Sequence, residues 1–138
     1  MSDDAIRRIL EATRTIAVVG LSSKPDRPSH DVAAYLQRAG YRIVPVNPRE
    51  TEVLGEPAYA TLRDIPADLP IDLVDVFRRA EETPEVAREA VAIGARTLWL
   101  QLGIANDEAR AIAEDAGLTV IMDRCLKVDH RRLEEDAS

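Results

Sequence analysis

Five short apolar runs, each separated from the next by a stretch of helical or loop character, constrain this chain more than any other feature. They fall at residues 16–19 ("IAVV"), 41–46, 71–77, 96–101 and 118–122. Nearly unbroken apolar runs of this length suit strands buried on both faces of a parallel sheet. Ile6, Ile9 and Leu10 predict an amphipathic helix over 3–13. Val32, Tyr35, Leu36 and Ala39 form a second stripe closed by Gly40. Val86, Ala87, Ala90 and Val91 form a third behind Pro84, and Ala109, Ile112, Ala113 and Ala116 a fourth over 105–116. Strands alternating with helices imply parallel pairing with right-handed crossovers. The expectation is a single Rossmann-like α/β domain with a mainly parallel five-stranded sheet and helices on both faces. Residues 49–70 are less regular, with a helical turn at 61–65. The charged tail at 129–138 is expected to fray.

The bulk properties narrow the function classes. A chain of 138 residues suits one compact domain, and 46% hydrophobic with 31% charged residues is a globular balance. A net charge of −7 argues against non-specific nucleic-acid binding, which needs a basic surface. Cys125 is the only cysteine, which excludes an intramolecular disulfide and a multi-cysteine metal site. No basic-then-apolar leader and no run of membrane-spanning length is present, so a soluble cytoplasmic protein is expected.

Parallel α/β sheets bind ligands beyond the carboxyl ends of their strands, so the residues just past each strand carry the functional reading. The first strand runs into Gly20-Leu21-Ser22-Ser23-Lys24-Pro25-Asp26-Arg27-Pro28-Ser29. Gly20 permits a sharp turn, Ser22 and Ser23 offer hydroxyls and amides, and Ser29 is expected to cap the next helix, whose amino end favours phosphate. Lys24 and Arg27 add mobile cations; the alternative is a solvated connector. The loop lacks the G-x-G-x-x-G of a dinucleotide fingerprint. The second strand ends at Asn47-Pro48-Arg49, where an NAD domain carries an acid for the ribose. An amide beside a guanidinium tolerates a phosphorylated ribose, although Asn-Pro also makes a simple turn. Phe77-Arg78-Arg79 comes after the third strand, with Phe77 either against a base or in the core. Gln101 and Gly103 come after the fourth, positioned to meet a ligand, while Trp99 reads as packing.

These strand ends, with "IAVVGLSSKPDRPS", "YRIVPVNPRE", "GEPAYATLRDIP", "DLVDVFRR", "LWLQLGI" and "DRCLKVDHRRL", give the chain its resemblance to the small single-domain CoA-binding proteins. Those are similar to the amino-terminal CoA-binding domain of the succinyl-CoA synthetase alpha subunit. The resemblance spans about residues 14–133. It implies a Rossmann-type fold with coenzyme A across the strand ends, and phosphate contacts at Gly20, Ser22, Ser23, Lys24 and Ser29. Val46, Asn47 and Pro48 would lie by the adenosine, and Val76, Phe77 and Arg78 beside the nucleotide or the start of the pantetheine arm. The 101–103 turn matches the family pattern. Lys24, Arg27, Arg49 or Arg78 could meet the 3′-phosphate. The resemblance does not extend to the synthetase domain that carries the phosphorylated histidine, and His30 and His130 read as surface or capping side chains.

No catalytic constellation is visible, so the favoured expectation is a non-catalytic module that binds coenzyme A or an acyl-CoA. Two alternatives stay open. One is an NAD(P)-binding oxidoreductase or redox sensor on the same fold. The other is a CoA-dependent enzyme completed by a partner subunit. Cys125 is read as a buried small hydrophobe rather than a thiol at the cleft.

Overall fold

The computed structural model describes residues 1–137, with side chains through residue 136. The elements run α1 (Asp3–Ala12), β1 (Thr15–Val19), α2 (Pro28–Arg38), β2 (Arg42–Val46), β3 (Glu52–Val53), β4 (Glu56–Pro57), β5 (Leu73–Val76), α3 (Thr83–Ala92), β6 (Thr97–Leu100), α4 (Asp107–Asp115), β7 (Thr119–Ile121) and α5 (Leu126–Ala137). Single 3₁₀ turns sit at Leu62–Asp64 and Ala80–Glu82. The five longer runs form one parallel sheet in the order β2-β1-β5-β6-β7, and β3 and β4 make a separate small hairpin.

Because side chains alternate along a strand, the sheet divides the core in two. Ala17, Val19, Val44, Val46, Val74, Val76, Leu98 and Leu100 face α3 and α4, which bring Ala87, Ala90, Ala109 and Ala113. Ile16, Val18, Ile43, Leu73, Trp99 and Ile121 face α1, α2 and α5. Helices therefore cover both faces, which is why the strands read as continuous apolar runs. Trp99 is fully buried and donates its indole N–H to the Arg124 carbonyl at 2.8 Å, so it is a packing residue as expected.

The tail departs from expectation. Residues 126–137 form α5 rather than a frayed end, and Ser138 lies outside the described residues. Leu126 and Leu133, seven residues apart, are buried in the second core and supply the apolar stripe beneath a charged exterior. Asp129, also buried, accepts from Arg124 at 2.7 and 2.9 Å, and Arg132 reaches Asp3 of α1 at 2.8 Å. His130 is likewise not a surface or capping side chain. It is buried, and its Nδ1 lies 2.8 Å from the Tyr35 hydroxyl of α2. Burial holds the His130 imidazole below its usual pKa, because the charged form loses hydration.

Candidate functional site

From β1 the chain crosses to β2 on one side and, later, to β5 on the other, so the crevice opens above the β1–β5 boundary. Gly20 stands at this point with φ +87°, and a Cβ there would lie 2.3 Å from the Phe77 carbonyl oxygen. Only glycine fits that approach. Backbone bonds fasten the three strand ends together: Gly20 N donates to Val46 O, and Phe77 N to Val19 O, both at 2.8 Å.

Above them lies a cleft of about 780 Å³ lined by Gly20, Ser22, Ser23, Lys24, Arg27, Ser29, Asn47, Phe77 and Arg78 from the expected set. Pro28, Arg49, Glu50, Arg79 and Ile104 complete it. Five cations therefore face one carboxylate in a chain whose net charge is −7. Arg78 and Arg79 pair with Glu81 and Glu82 at 3.4–4.0 Å. Lys24, Arg27 and Arg49 have no ionic partner among the described residues. The Glu50 carboxylate accepts from Ser23 N at 2.7 Å, so one loop amide already holds an anionic oxygen.

The loop is internally braced. Ser22 Oγ accepts from Lys24 N, and Ser29 Oγ accepts from Ser22 N, each at 3.1 Å. Ser29 is thus not the helix cap that the sequence predicts. Arg27 occupies that position, Pro28 takes the first helical turn, and the Ser29 hydroxyl is spent on the loop. Asn47 ties the loop to the second strand end: its Nδ2 donates to Leu21 O at 3.0 Å, and its Oδ1 accepts from Arg49 N at 2.9 Å.

Val46 and Pro48 line an adjoining hollow of about 370 Å³ with Val19, Leu62 and Val86, and Arg78 belongs to both cavities. The sequence reading missed Ala60, Thr61 and Leu62 here. They arrive because Tyr59 pairs with the end of β2, with Asn47 N donating to Tyr59 O at 2.8 Å. Glu82, Glu85 and Glu89 also border this hollow, making it apolar with an acidic edge. A groove of about 460 Å³ beside α1, lined by Asp72, Arg96 and Thr97, lies at the opposite, amino end of the sheet.

Three expected residues line neither strand-end cavity. Val76 is fully buried in the first core. Gly103 directs its N–H to the Asp123 carboxylate at 2.6 Å. Gln101 is buried, and its amide donates to Asp75 Oδ1 instead of reaching outward. Asp75, the partner of Gln101, was passed over by the sequence reading and lines neither cavity. It is fully buried, its Oδ2 has no partner, and desolvation pushes its pKa up to about 7 against the single opposing hydrogen bond from Gln101. The signal was an acid inside the apolar run "DLVDVF". Cys125 is half-buried against the second core and lines neither cavity.

A doubly covered parallel sheet with a cationic crevice at its switch point defines a nucleotide-binding type of α/β domain. Residues 14–131 match the CoA binding domain family model, and the chain belongs to that family. It is 50% identical to the uncharacterized protein YneT of Bacillus subtilis over 125 residues, 91% of each chain. A solved structure of a hypothetical protein from Pyrococcus horikoshii superimposes with a TM-score of 0.93 at 40% identity, covering 97% of this chain and 93% of that one. The alpha subunit of the ADP-forming acetate–CoA ligase II of Pyrococcus furiosus is 27% identical over 83% of this chain but only 27% of its own length. The similarity is therefore to one portion of that ligase subunit.

Proposed function

We propose that the strand-end cleft binds coenzyme A or an acyl-CoA and that the chain works as a non-catalytic binding or regulatory module. The observation that carries this reading is the trio of cations, Lys24, Arg27 and Arg49, gathered on one cleft of an acidic protein and without an ionic partner among the described residues. Membership of the CoA binding domain family supports it. The diphosphate suits the Gly20–Ser29 loop, where the Ser23 amide and Lys24 border one cleft and charge-assisted contacts are each worth roughly 1.5–3 kcal/mol when shielded. The adenine suits the adjoining hollow, where Val46, Pro48 and Val86 offer apolar surface. Its carboxylate edge accepts from an exocyclic amine but repels phosphate, which keeps the charged groups in the cationic half. Arg49 and Arg78 remain for the 3′-phosphate.

The cleft lining contains no histidine and no cysteine, and the Ser22 and Ser29 hydroxyls accept from loop amides, which favours binding over acyl transfer. A partner-completed enzyme keeps its place as a second reading because of the ligase-subunit relative. The test is calorimetric titration of the ligand-stripped protein with CoA, 3′-dephospho-CoA, NAD and NADP. CoA binding tightest supports the proposal, and the dephospho form weakening by at least several-fold would locate the 3′-phosphate contact. NAD or NADP binding more tightly than CoA would sink it.

A further inference from the structure

Asp75 lies inside β5, whose register places it opposite Val18 of β1 and Trp99 of β6. By alternation it shares the face of Leu73 and Trp99, in an apolar layer, and its carboxyl has one partner, the Gln101 side chain. With Gln101 Nε2 donating to Oδ1 and the proton on the orphaned Oδ2, a neutral Asp75 avoids placing a half-compensated charge in the apolar layer. Gln101 is also the hub of the next turn. Its N donates to Val76 O at 3.3 Å, and its carbonyl accepts from Ile104 N at 2.9 Å. Phe77, two residues beyond Asp75, and Ile104, three beyond Gln101, both line the cleft.

We propose that Asp75 and Gln101 form a proton-holding clasp that fixes the turns carrying Phe77 and Ile104, so that the cleft keeps its ligand-binding shape only while Asp75 is neutral. The part concerning ligand rests on the CoA reading above. Deprotonation leaves a buried carboxylate with a single donor, and the strand ends must part to hydrate it. Ligand binding and proton retention then support each other by linkage. Around this face α1 brings the apolar Ile6, Ile9 and Leu10. The titratable groups are Tyr35 of α2, Tyr41 before β2, Cys125, and Asp129 and His130 of α5. None of these forms a hydrogen bond or ion pair with Asp75, so its ionisation is governed by burial and Gln101.

The test is a pH titration from 5 to 9 of amide ¹H–¹⁵N shifts and Trp99 fluorescence in wild type, Asp75→Asn and Gln101→Leu, with CoA affinity measured at both ends. Wild type is expected to show Phe77, Ile104 and Trp99 titrating together near pH 7. Asp75→Asn should abolish that transition, and Gln101→Leu should move it upward because the bond favouring the anion is gone. CoA should bind wild type about tenfold more weakly at the alkaline end for each unit by which ligand raises the Asp75 pKa. In Asp75→Asn only the background from ionisation of CoA itself should remain. Identical curves for wild type and Asp75→Asn would overturn the clasp, even if CoA binds tightly. Equal pH profiles of CoA affinity in the two would overturn its coupling to ligand. A transition in wild type alone, with no CoA bound at any pH, would uphold the clasp and refute the CoA reading instead.

Discussion

Replacing Gly20 with alanine tests the junction on which the cleft is built. The added Cβ meets the Phe77 carbonyl oxygen at 2.3 Å, roughly 1 Å inside ordinary contact, and it must also adopt φ +87°. The left-handed backbone costs about 1–2 kcal/mol for a residue with a Cβ. Relieving a backbone clash in packed surroundings adds about 1–3 kcal/mol. Gly94→Ala is the internal control, because Gly94 has φ +76° but nothing within 4 Å of its Cβ position, so it carries the conformational cost alone. At about 3–5 °C per kcal/mol for a domain of this size, Gly20→Ala should lower Tm by roughly 6–25 °C. Gly94→Ala should lower it by no more than about 10 °C. Melting followed by circular dichroism gives both values, and calorimetric titration adds the loss of CoA affinity expected only for Gly20→Ala. Equal losses of stability in the two variants, with CoA binding intact in both, would refute the close approach of β1 and β5 ends.

Other outcomes rest on the same geometry. Lys24→Ala should weaken CoA binding by roughly tenfold, the loss of one charge-assisted contact, without lowering Tm, because the side chain is exposed and unpaired. Glu50→Gln should tighten CoA binding several-fold by removing the carboxylate that occupies Ser23 N; weaker binding would mean that Glu50 shapes the loop instead of competing with the ligand. Stability should fall as pH rises from about 4 to about 7. Over that range the unfolded Asp75 ionises near 3.8 while the folded one stays protonated, and the loss levels off above about 7. Three pKa units correspond to about 4 kcal/mol. Urea midpoints across this range should flatten in Asp75→Asn, and an unchanged slope would contradict the neutral carboxyl.

The sheet was legible because its strands are buried on both faces, so stretches such as "IAVV" and "LWL" stand out as unbroken apolar runs. The crevice loop was legible for a related reason: Gly20, Lys24 and Arg27 come directly after a strand, and topology alone puts them together. What escaped depends on partners distant in sequence. Among the described side chains of α5 only Leu126 and Leu133 are buried apolar residues, and its polar groups are held by Arg124, Asp3 and Tyr35 from outside the helix. Gln101 looked like a ligand contact because its strand end faces the crevice, yet Asp75, 26 residues earlier, claims its amide. The Ser29 hydroxyl was similarly claimed by Ser22 across the loop. The hollow beside Val46 needed Tyr59 to pair with β2, a bridge in a segment punctuated by prolines and without periodicity.

A crystal structure of the protein with CoA tests the central claim most directly. The diphosphate should lie within hydrogen-bonding distance of the Ser23 amide and of Lys24, with Glu50 displaced from Ser23. The adenine should occupy the hollow lined by Val46, Pro48 and Val86. CoA seated in the groove of Asp72 and Arg96 at the amino end of the sheet would contradict this placement, as would an unaltered Glu50–Ser23 contact in crystals grown at saturating CoA.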